Sequence, residues 1–112
     1  MSPFRTDIWV AAFVRRHNDI GHICVVVRRG DPVAGQIFVL VDHLNGTVSL
    51  FTPAPAAGRD EAEMADRLFE CRFDHVEAAK AQARIAREAD FDPDLWVVEL
   101  ELRAGDIGIM RV

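Results

Sequence analysis

Four consecutive residues, Arg28-Arg29-Gly30-Asp31, form the most chemically conspicuous group in this sequence, and they follow a short β-branched run. A guanidinium presents planar, paired donors that match a carboxylate or a phosphate, so adjacent arginines at a strand end indicate an anion site. Neighbouring residues of a strand point to opposite faces, and only one of the two arginines can therefore line a given pocket unless the strand ends there. The sequence leaves open whether Arg28 or Arg29 does so.

A second basic pair, Arg15-Arg16, lies near the C-terminal end of a predicted first helix, where cations complement the helix dipole. If that helix packs on the strand that follows it, Arg16 and one of Arg28 or Arg29 would meet around an anion. The competing interpretation is a set of surface ion pairs between these arginines and acidic residues such as Asp31. Pairs of that kind are common and contribute little stability.

His17 lies on the apolar face of the same helix, and two roles fit it. A buried neutral imidazole, hydrogen-bonded to a backbone carbonyl, is the structural role. A general base is the catalytic role, because histidine titrates near neutral pH. No Ser or Cys is evidently placed beside it, so we assign no catalytic residue. The predicted ligand-binding residues are Arg16, His17, Arg28, Arg29 and Asp31.

Two residue pairs have the spacing of zinc ligands, namely His22-x-Cys24 and Cys71-x3-His75. Cys71, however, shares a predicted strand face with two phenylalanines and is expected to be a buried thiol. The chain has no C-x2-C, no phosphate-binding P-loop, no dinucleotide fingerprint, no zinc-protease helix motif and no G-x-S-x-G elbow. We predict no metal and no cofactor, and the balance favours a protein that is not an enzyme.

Length and composition bound the class of protein. The chain has 112 residues, 50% of them hydrophobic, which predicts a single domain over residues 1–112. No apolar run reaches the length of a membrane span, and the N-terminus lacks the features of a secretory signal. Two cysteines are too few for a disulfide scaffold, so we expect a cytoplasmic protein with reduced thiols. The net charge of −5 disfavours non-specific DNA binding.

The segment Phe91–Arg103 organises the predicted fold. After the turn at Asp92-Pro93-Asp94 its residues alternate, with one face fully apolar and the other beginning apolar and ending charged. We expect this strand to lie well inside a sheet. The other predicted elements are a helix over 6–20 capped by Thr6, strands over 23–29, 36–42, 47–52 and 68–73, a helix over 74–89 capped by Asp74, and a short edge strand within 106–112.

The first three strands are predicted to form an antiparallel meander, with Asn45-Gly46 as the hairpin turn between the second and third. Residues 59–70 fit either a helix or a loop followed by a strand. The element order α-β-β-β-β-α-β is not a repeating βαβ pattern. We therefore predict an α+β domain whose antiparallel-dominated sheet has about five strands, with both helices on one face.

Three blocks of the sequence together carry a family resemblance: Asp7–Arg16 (DIWVAAFVRR), Val26–Asp31 (VVRRGD) followed by Ala34-Gly35, and Phe91–Glu99 (FDPDLWVVE). This combination resembles the short alphaproteobacterial proteins grouped as domain of unknown function family 1491. The resemblance spans nearly the whole chain, and the third block is its most specific part. It implies a bacterial protein with no established activity or ligand, so it adds no catalytic residue.

These observations favour a non-enzymatic binding or protein-interaction domain with an anion-binding basic corner. A small anionic ligand fits the arginines, and a homodimer would form through a sheet edge or a helix face. The exposed side of the sheet is expected to carry Thr47, Ser49, Glu99 and Glu101. The alternative is a small enzyme acting on a phosphate- or carboxylate-bearing substrate. A weaker alternative is RNA binding through the same arginines, which the acidity of the chain opposes.

Overall fold

The computed structural model describes residues 5–55 and 67–112. Within these residues the chain forms two helices and six strands. The elements in chain order are α1 (Thr6–Asp19), β1 (Ile23–Arg28), β2 (Ile37–Asp42), β3 (Thr47–Pro53), β4 (Leu68–Glu77), α2 (Ala78–Phe91), β5 (Trp96–Glu101) and β6 (Met110–Arg111). The α+β class and the order of the predicted elements are confirmed, and the tail forms the edge strand β6. Of the segment 59–70, for which a helix or a loop followed by a strand was predicted, residues 59–66 lie outside the described residues, and residues 68–70 belong to the strand β4.

The strands form one sheet in the order β1-β5-β2-β3-β4-β6. The sheet is mixed rather than purely antiparallel, because β5 runs parallel to β2 and β6 runs parallel to β4. The predicted meander is wrong at its first strand: β5 lies between β1 and β2, and only β2 and β3 form the hairpin at Asn45-Gly46. The interior place of β5 is confirmed, because β5 pairs with β1 along one edge and with β2 along the other.

The two helices cover opposite faces of the sheet, and not one face as predicted. Alternate residues of β2 and β5 point to each side and most of both sets are buried, so each face needs its own cover. The α1 face packs Val10 and Phe13 of the helix against Ile37, Val39, Val41, Trp96, Val98 and Leu100. The α2 face packs Ala81 and Ile85 of the helix against Phe38, Leu40, Val48, Leu50, Leu95 and Val97.

The start of α1 is held by the loop after β1, and the predicted Thr6 cap is wrong. No side chain caps this helix. The N–H of Asp7 donates to the Pro32 carbonyl at 2.9 Å, and the N–H of Thr6 donates to the Val33 carbonyl at 3.2 Å. The Thr6 hydroxyl donates to the carbonyl of Gly35 at 2.8 Å. Loop carbonyls thus satisfy the donors that a capping side chain would otherwise take.

The start of α2 also differs from the prediction, because β4 is longer than expected. Asp74 has the spacing of a capping residue, yet it lies within β4, which continues to Glu77, and α2 begins at Ala78 without a side-chain cap. The Asp74 carboxylate instead lies 2.7 Å from the ring Nδ1 of His75. Sheet pairing has here overridden a local helix signal.

Candidate functional site

A β-bulge in β1 decides which arginine of the Arg-Arg pair faces α1. Val26 is paired with Val98 of β5, and Arg28 is paired with the adjacent residue, Val97. Val27 is therefore an extra residue in β1, without a partner on β5. Paired residues share a face, and Val97 belongs to the α2 face. Arg28 therefore lies on the α2 side, and Arg29 lies on the α1 side.

Arg29 is held over the ring of Trp96. Its guanidinium carbon lies 4.9 Å from the ring centroid, within the range of a cation–π contact. The indole is fixed in turn, because its Nε1–H donates to the carbonyl of Asp31 at 2.7 Å. Within residues 5–55 and 67–112, the Arg29 guanidinium donates to no acceptor. The group is positioned but its donors are unused.

An open groove of about 530 Å³ lies between α1 and β1, and Arg29 lines it together with Arg15. The remainder of the lining is mainly apolar and consists of Ile8, Val10, Ala11, Val14, Val26 and Trp96, with Asp7. The groove therefore combines two guanidinium groups with a hydrocarbon surface.

The acidic residue of the groove is already engaged. Arg5 donates from Nε and Nη2 to the two carboxylate oxygens of Asp7, at 2.9 and 3.0 Å. This side-chain hydrogen bond is the main cause that lowers the pKa of Asp7. The charge of Arg29 is a smaller cause of the same lowering, so Arg29 also interacts with this carboxylate through space. Because Arg5 is hydrogen-bonded to Asp7, the groove keeps a net positive charge from Arg15 and Arg29.

The turn after β1 is shaped by backbone contacts. The Asp31 carboxylate accepts the N–H groups of Val33 and Ala34 at 3.1 and 2.7 Å. The N–H of Asp31 donates to the Asp94 carbonyl at 3.0 Å, and Gly30 lies against the same carbonyl, where a side chain has no room. Asp31 thus has a structural role, and its predicted part in ligand binding stays a prediction.

The structure does not bring Arg16 together with the arginines of the turn. Arg16 lies at the end of α1 that leads into β1, where its Nη2 donates to the Gly108 carbonyl at 3.2 Å. Arg28 lies at the far end of β1, and its Nη2 donates to the Pro93 carbonyl at 3.4 Å. Arg15 takes the place in the groove that was expected of Arg16. Ligand binding by any of these residues stays a prediction, but Arg16 and Arg28 do not share one anion site.

His17 is buried, and both of its ring nitrogens have partners. Nε2 lies 2.6 Å from the carbonyl oxygen of Ile107, and Nδ1 lies 2.9 Å from Nδ1 of His22. A carbonyl only accepts, so Nε2 of His17 carries the proton and His22 donates to the other nitrogen. Burial lowers the pKa of His17. These contacts match the structural role, a neutral buried imidazole, and occupy both nitrogens that a catalytic base would use.

A second polar cluster lies where β4 bulges against β3, and no pattern in the sequence predicts it. Asp74 and His75 both lie opposite Ser49. The Ser49 hydroxyl accepts the N–H of His75 at 3.0 Å and lies 2.8 Å from Nε2 of His43, whose ring stacks on that of His75. Ser49 was expected on the exposed side of the sheet but is only 1% exposed. It supports the bulge from inside and is shielded from any substrate.

The two cysteines lie in different surroundings. Burial raises the pKa of the Cys24 thiol to about 11, whereas Cys71 is exposed, contrary to the prediction. The prediction depended on alternation, which a bulge at Arg72 interrupts, because Cys71 is paired with Phe51 and Phe73 with the adjacent residue of β3. Across residues 5–55 and 67–112, no group of three or more His, Cys, Asp or Glu side chains is placed to hold a metal ion. Neither described helix is long and apolar enough to cross a membrane.

Comparison with known proteins places the chain among proteins without an assigned function. A family model described as a protein of unknown function, DUF1491, matches residues 4–109. The chain has no match among curated protein sequences.

Two solved structures resemble the chain over nearly its full length. A crystal structure of a DUF1491 family protein from Caulobacter crescentus is 34% identical with a TM-score of 0.78, and the match covers 100% of this chain and 99% of that protein. A solution structure of a protein from A. tumefaciens is 36% identical with a TM-score of 0.80, covering 97% of this chain and 92% of that protein. The predicted resemblance to this alphaproteobacterial family is confirmed.

Proposed function

The chain belongs to the DUF1491 family of proteins of unknown function, and we propose that it is a non-enzymatic binding domain which takes an amphipathic anion in the groove between α1 and β1. The carboxylate or phosphate head group binds Arg29, with Arg15 as the second cation, and the apolar portion lies against Val14 and Val26. The observation that carries this proposal is the Arg29 guanidinium, held over Trp96 with no acceptor within the described residues.

The Arg29 side chain is preorganised for ligand binding. Immobilising a free arginine side chain costs conformational entropy, which lowers the affinity for whatever it binds. The contact with Trp96 restricts Arg29 in advance, and the hydrogen bond to the Asp31 carbonyl restricts the indole. A hydrogen bond to a charged group contributes about 1.5–3 kcal/mol of free energy. An anion that accepts hydrogen bonds from the Arg29 guanidinium is expected to gain most of this binding free energy.

The apolar lining favours a ligand with a hydrocarbon portion. Burial of each methylene group contributes about 0.8 kcal/mol. Val14, Val26 and the small Ala11 offer such a surface beside the two arginines. An anion with an alkyl chain is therefore expected to bind more tightly than acetate or inorganic phosphate.

The same lining supports binding over the alternative of a small enzyme. A hydrolytic or group-transfer reaction needs a nucleophile or a proton-transfer group beside the substrate. Among the described residues the groove has no Ser, Cys, His or Lys, and its carboxylate, Asp7, is hydrogen-bonded to Arg5. His17, the candidate base, is hydrogen-bonded to Ile107 and His22.

Calorimetric titration with decanoate and decyl phosphate, below the concentration at which micelles form, tests the proposal. Decanol is the uncharged comparison ligand. Both anions are expected to bind more tightly than decanol, and their affinity is expected to fall at high salt because exposed charges are screened. Arg29→Ala is expected to weaken anion binding about tenfold or more, equivalent to at least about 1.4 kcal/mol.

Arg28→Ala is the matched control, because it removes the same charge from the next residue but on the α2 side of the sheet. Its anion affinity is expected to stay close to that of the wild type. An equal loss in the two variants would indicate a general charge effect, and equal affinity for decanol and decanoate would show that Arg29 binds no head group. Either result contradicts the proposal.

A further inference from the structure

The α2 face of the sheet is only partly covered by its helix. α2 lies over β3 and β4, at one side of the sheet. On the other side, Ile23 and Val25 of β1 point to the α2 face and are 57% and 48% exposed. Their partners on β5 are Glu101 and Glu99, so the uncovered surface is a row of aliphatic residues beside a row of carboxylates. We call these four residues the open half.

The open half has the width that one helix covers. Six strands about 4.8 Å apart make a sheet roughly 25 Å wide. A helix with its side chains is about 10 Å across and covers roughly two strands. The contacts of α2 centre on β3 and β4, and its apolar side chains share a buried cluster with residues of β2, with Leu95 and with Val97 of β5. The open half lies beyond this cluster, toward the β1 edge, and one further helix would fit there beside α2.

The carboxylates of the open half are not neutralised within the described residues. The register between β2 and β5 places Asp42 next to Glu101 on the same face, so three acidic side chains lie together. No described ion pair includes Glu99, Glu101 or Asp42. Burial raises the pKa of Glu99, and the charges of Asp42 and Glu101 raise it further. This surface therefore attracts a cation.

The edge of β1 is partly blocked to a further strand, which favours an occupant that lies across the face. The Asn18 side chain accepts the N–H of Cys24 at 3.0 Å and donates to its carbonyl at 3.2 Å. These are the backbone groups that point away from β5. The bulge at Val27 interrupts the edge further along.

We propose that the open half docks a basic amphipathic helix of a partner protein. The apolar stripe of that helix packs on Ile23 and Val25, and its Lys or Arg residues pair with Glu99, Glu101 and Asp42. A second copy of this chain is a poorer occupant. The open half of a second copy would bring the same carboxylates and no cation to pair with Glu99, Glu101 and Asp42.

Fluorescence anisotropy with a labelled helical peptide built from Leu and Lys tests this proposal, with a Leu and Glu peptide of the same pattern as comparison. The wild type is expected to bind the Lys peptide and not the Glu peptide. Ile23→Ser/Val25→Ser and Glu99→Gln/Glu101→Gln are each expected to weaken binding about tenfold or more. All four positions are at least partly exposed, so both variants are expected to fold, and their melting temperatures check this.

Matched controls separate the docking surface from general acidity. Asp90→Asn/Asp94→Asn removes the same two charges elsewhere, and Val33→Ser removes an exposed valine elsewhere. Both are expected to bind the Lys peptide like the wild type, as is Arg29→Ala, so this test is independent of the groove. The proposal is overturned by absence of binding, by an equal loss in the controls, or by sedimentation that shows a concentration-dependent dimer which the Ile23/Val25 variant abolishes.

Discussion

Gly30 leaves no room for a side chain at the turn after β1. A Cβ at this position would overlap the carbonyl group of Asp94, which belongs to the backbone and cannot rotate aside. We expect Gly30→Ala to lower the free energy of unfolding by about 2–3 kcal/mol, because the turn must open and the hydrogen bond from Asp31 to Asp94 lengthens. Urea unfolding followed by tryptophan fluorescence measures the loss.

Gly21→Ala is the comparison, since Gly21 has open space around it and a positive φ of 91°. A left-handed backbone costs an alanine about 1–2 kcal/mol, so this variant measures backbone strain without a clash. If Gly30→Ala loses less stability than Gly21→Ala, the explanation by steric overlap at Gly30 is contradicted.

His17 should make the stability of the protein depend on pH. Burial lowers its pKa below the ordinary value of 6.5, so between the lowered pKa and 6.5 the unfolded chain binds more protons than the folded protein. The stability that a neutral His17 contributes is complete above 6.5 and is lost as the pH falls through that window. We expect urea unfolding midpoints to drop between about pH 7.5 and about pH 5.5.

His17→Gln separates this effect from other titrations. Its midpoint is expected to be lower than that of the wild type at about pH 7.5 and to change less on acidification. Glu99 acts in the opposite direction, because a raised carboxyl pKa favours the folded protein as the pH falls, and it is present in both proteins. Parallel midpoints of the two proteins across this range would exclude His17 as the source.

Residue identities were easier to predict than side-chain directions. The Arg-Arg-Gly-Asp turn and the double arginine of α1 stand out by residue type. Which arginine faces α1 depends on the bulge at Val27, and no period in the sequence marks an inserted residue. The burial of Ser49 and the exposure of Cys71 depend on bulges of β4 for the same reason. The partner of Arg29 was unforeseen because Trp96 comes from the other end of the chain.

At the scale of the element, Asn18 protects the edge of the sheet. Its amide replaces the neighbouring strand that Cys24 lacks on its outer side. We expect Asn18→Ala to lower the free energy of unfolding by about 1–2 kcal/mol, because two backbone groups lose their partner. The exposed edge is also expected to promote association, which light scattering during thermal unfolding detects.

Asp19→Ala is the matched control for the edge, since it changes the next residue, which is exposed and lies in the same last turn of α1. Its stability and scattering are expected to stay near those of the wild type. If both variants behave alike, the effect belongs to the end of α1 and not to the edge of β1.

The elements themselves were largely predictable, and their arrangement was not. The alternation of β5 and the apolar β2 indicated interior strands, and their apolar residues on both faces already implied a cover on each side. The prediction of both helices on one face conflicts with that implication. The insertion of β5 between β1 and β2 was not predictable, because it pairs Val25 with Glu99 and Ile37 with Trp96, residues far apart in the chain, and periodicity reports only local structure.

At the scale of the whole molecule, the C-terminal segment connects α1 with the far edge of the sheet. The Ile107 carbonyl bonds His17, the Gly108 carbonyl bonds Arg16, and β6 pairs with β4. Ile107 and Ile109 also pack against the core on the α1 face. The segment thus joins α1, whose C-terminal end leads into β1, to β4, which lies on the opposite side of the sheet from β1.

Removing residues 106–112 is therefore expected to destabilise the whole domain. Loss of two partly buried isoleucines and of the acceptor for a buried His17 lowers the free energy of unfolding by roughly 3–5 kcal/mol, a large part of the stability of a small domain. His17 would also become hydrated, so its pKa would return toward the ordinary value and the drop in midpoint on acidification would shrink. Urea unfolding of the shortened and full chains at about pH 7.5 and about pH 5.5 measures both the loss of stability and the change in its pH dependence. A shortened chain that is less stable but keeps the full pH dependence would show that the segment packs on the core without determining the environment of His17.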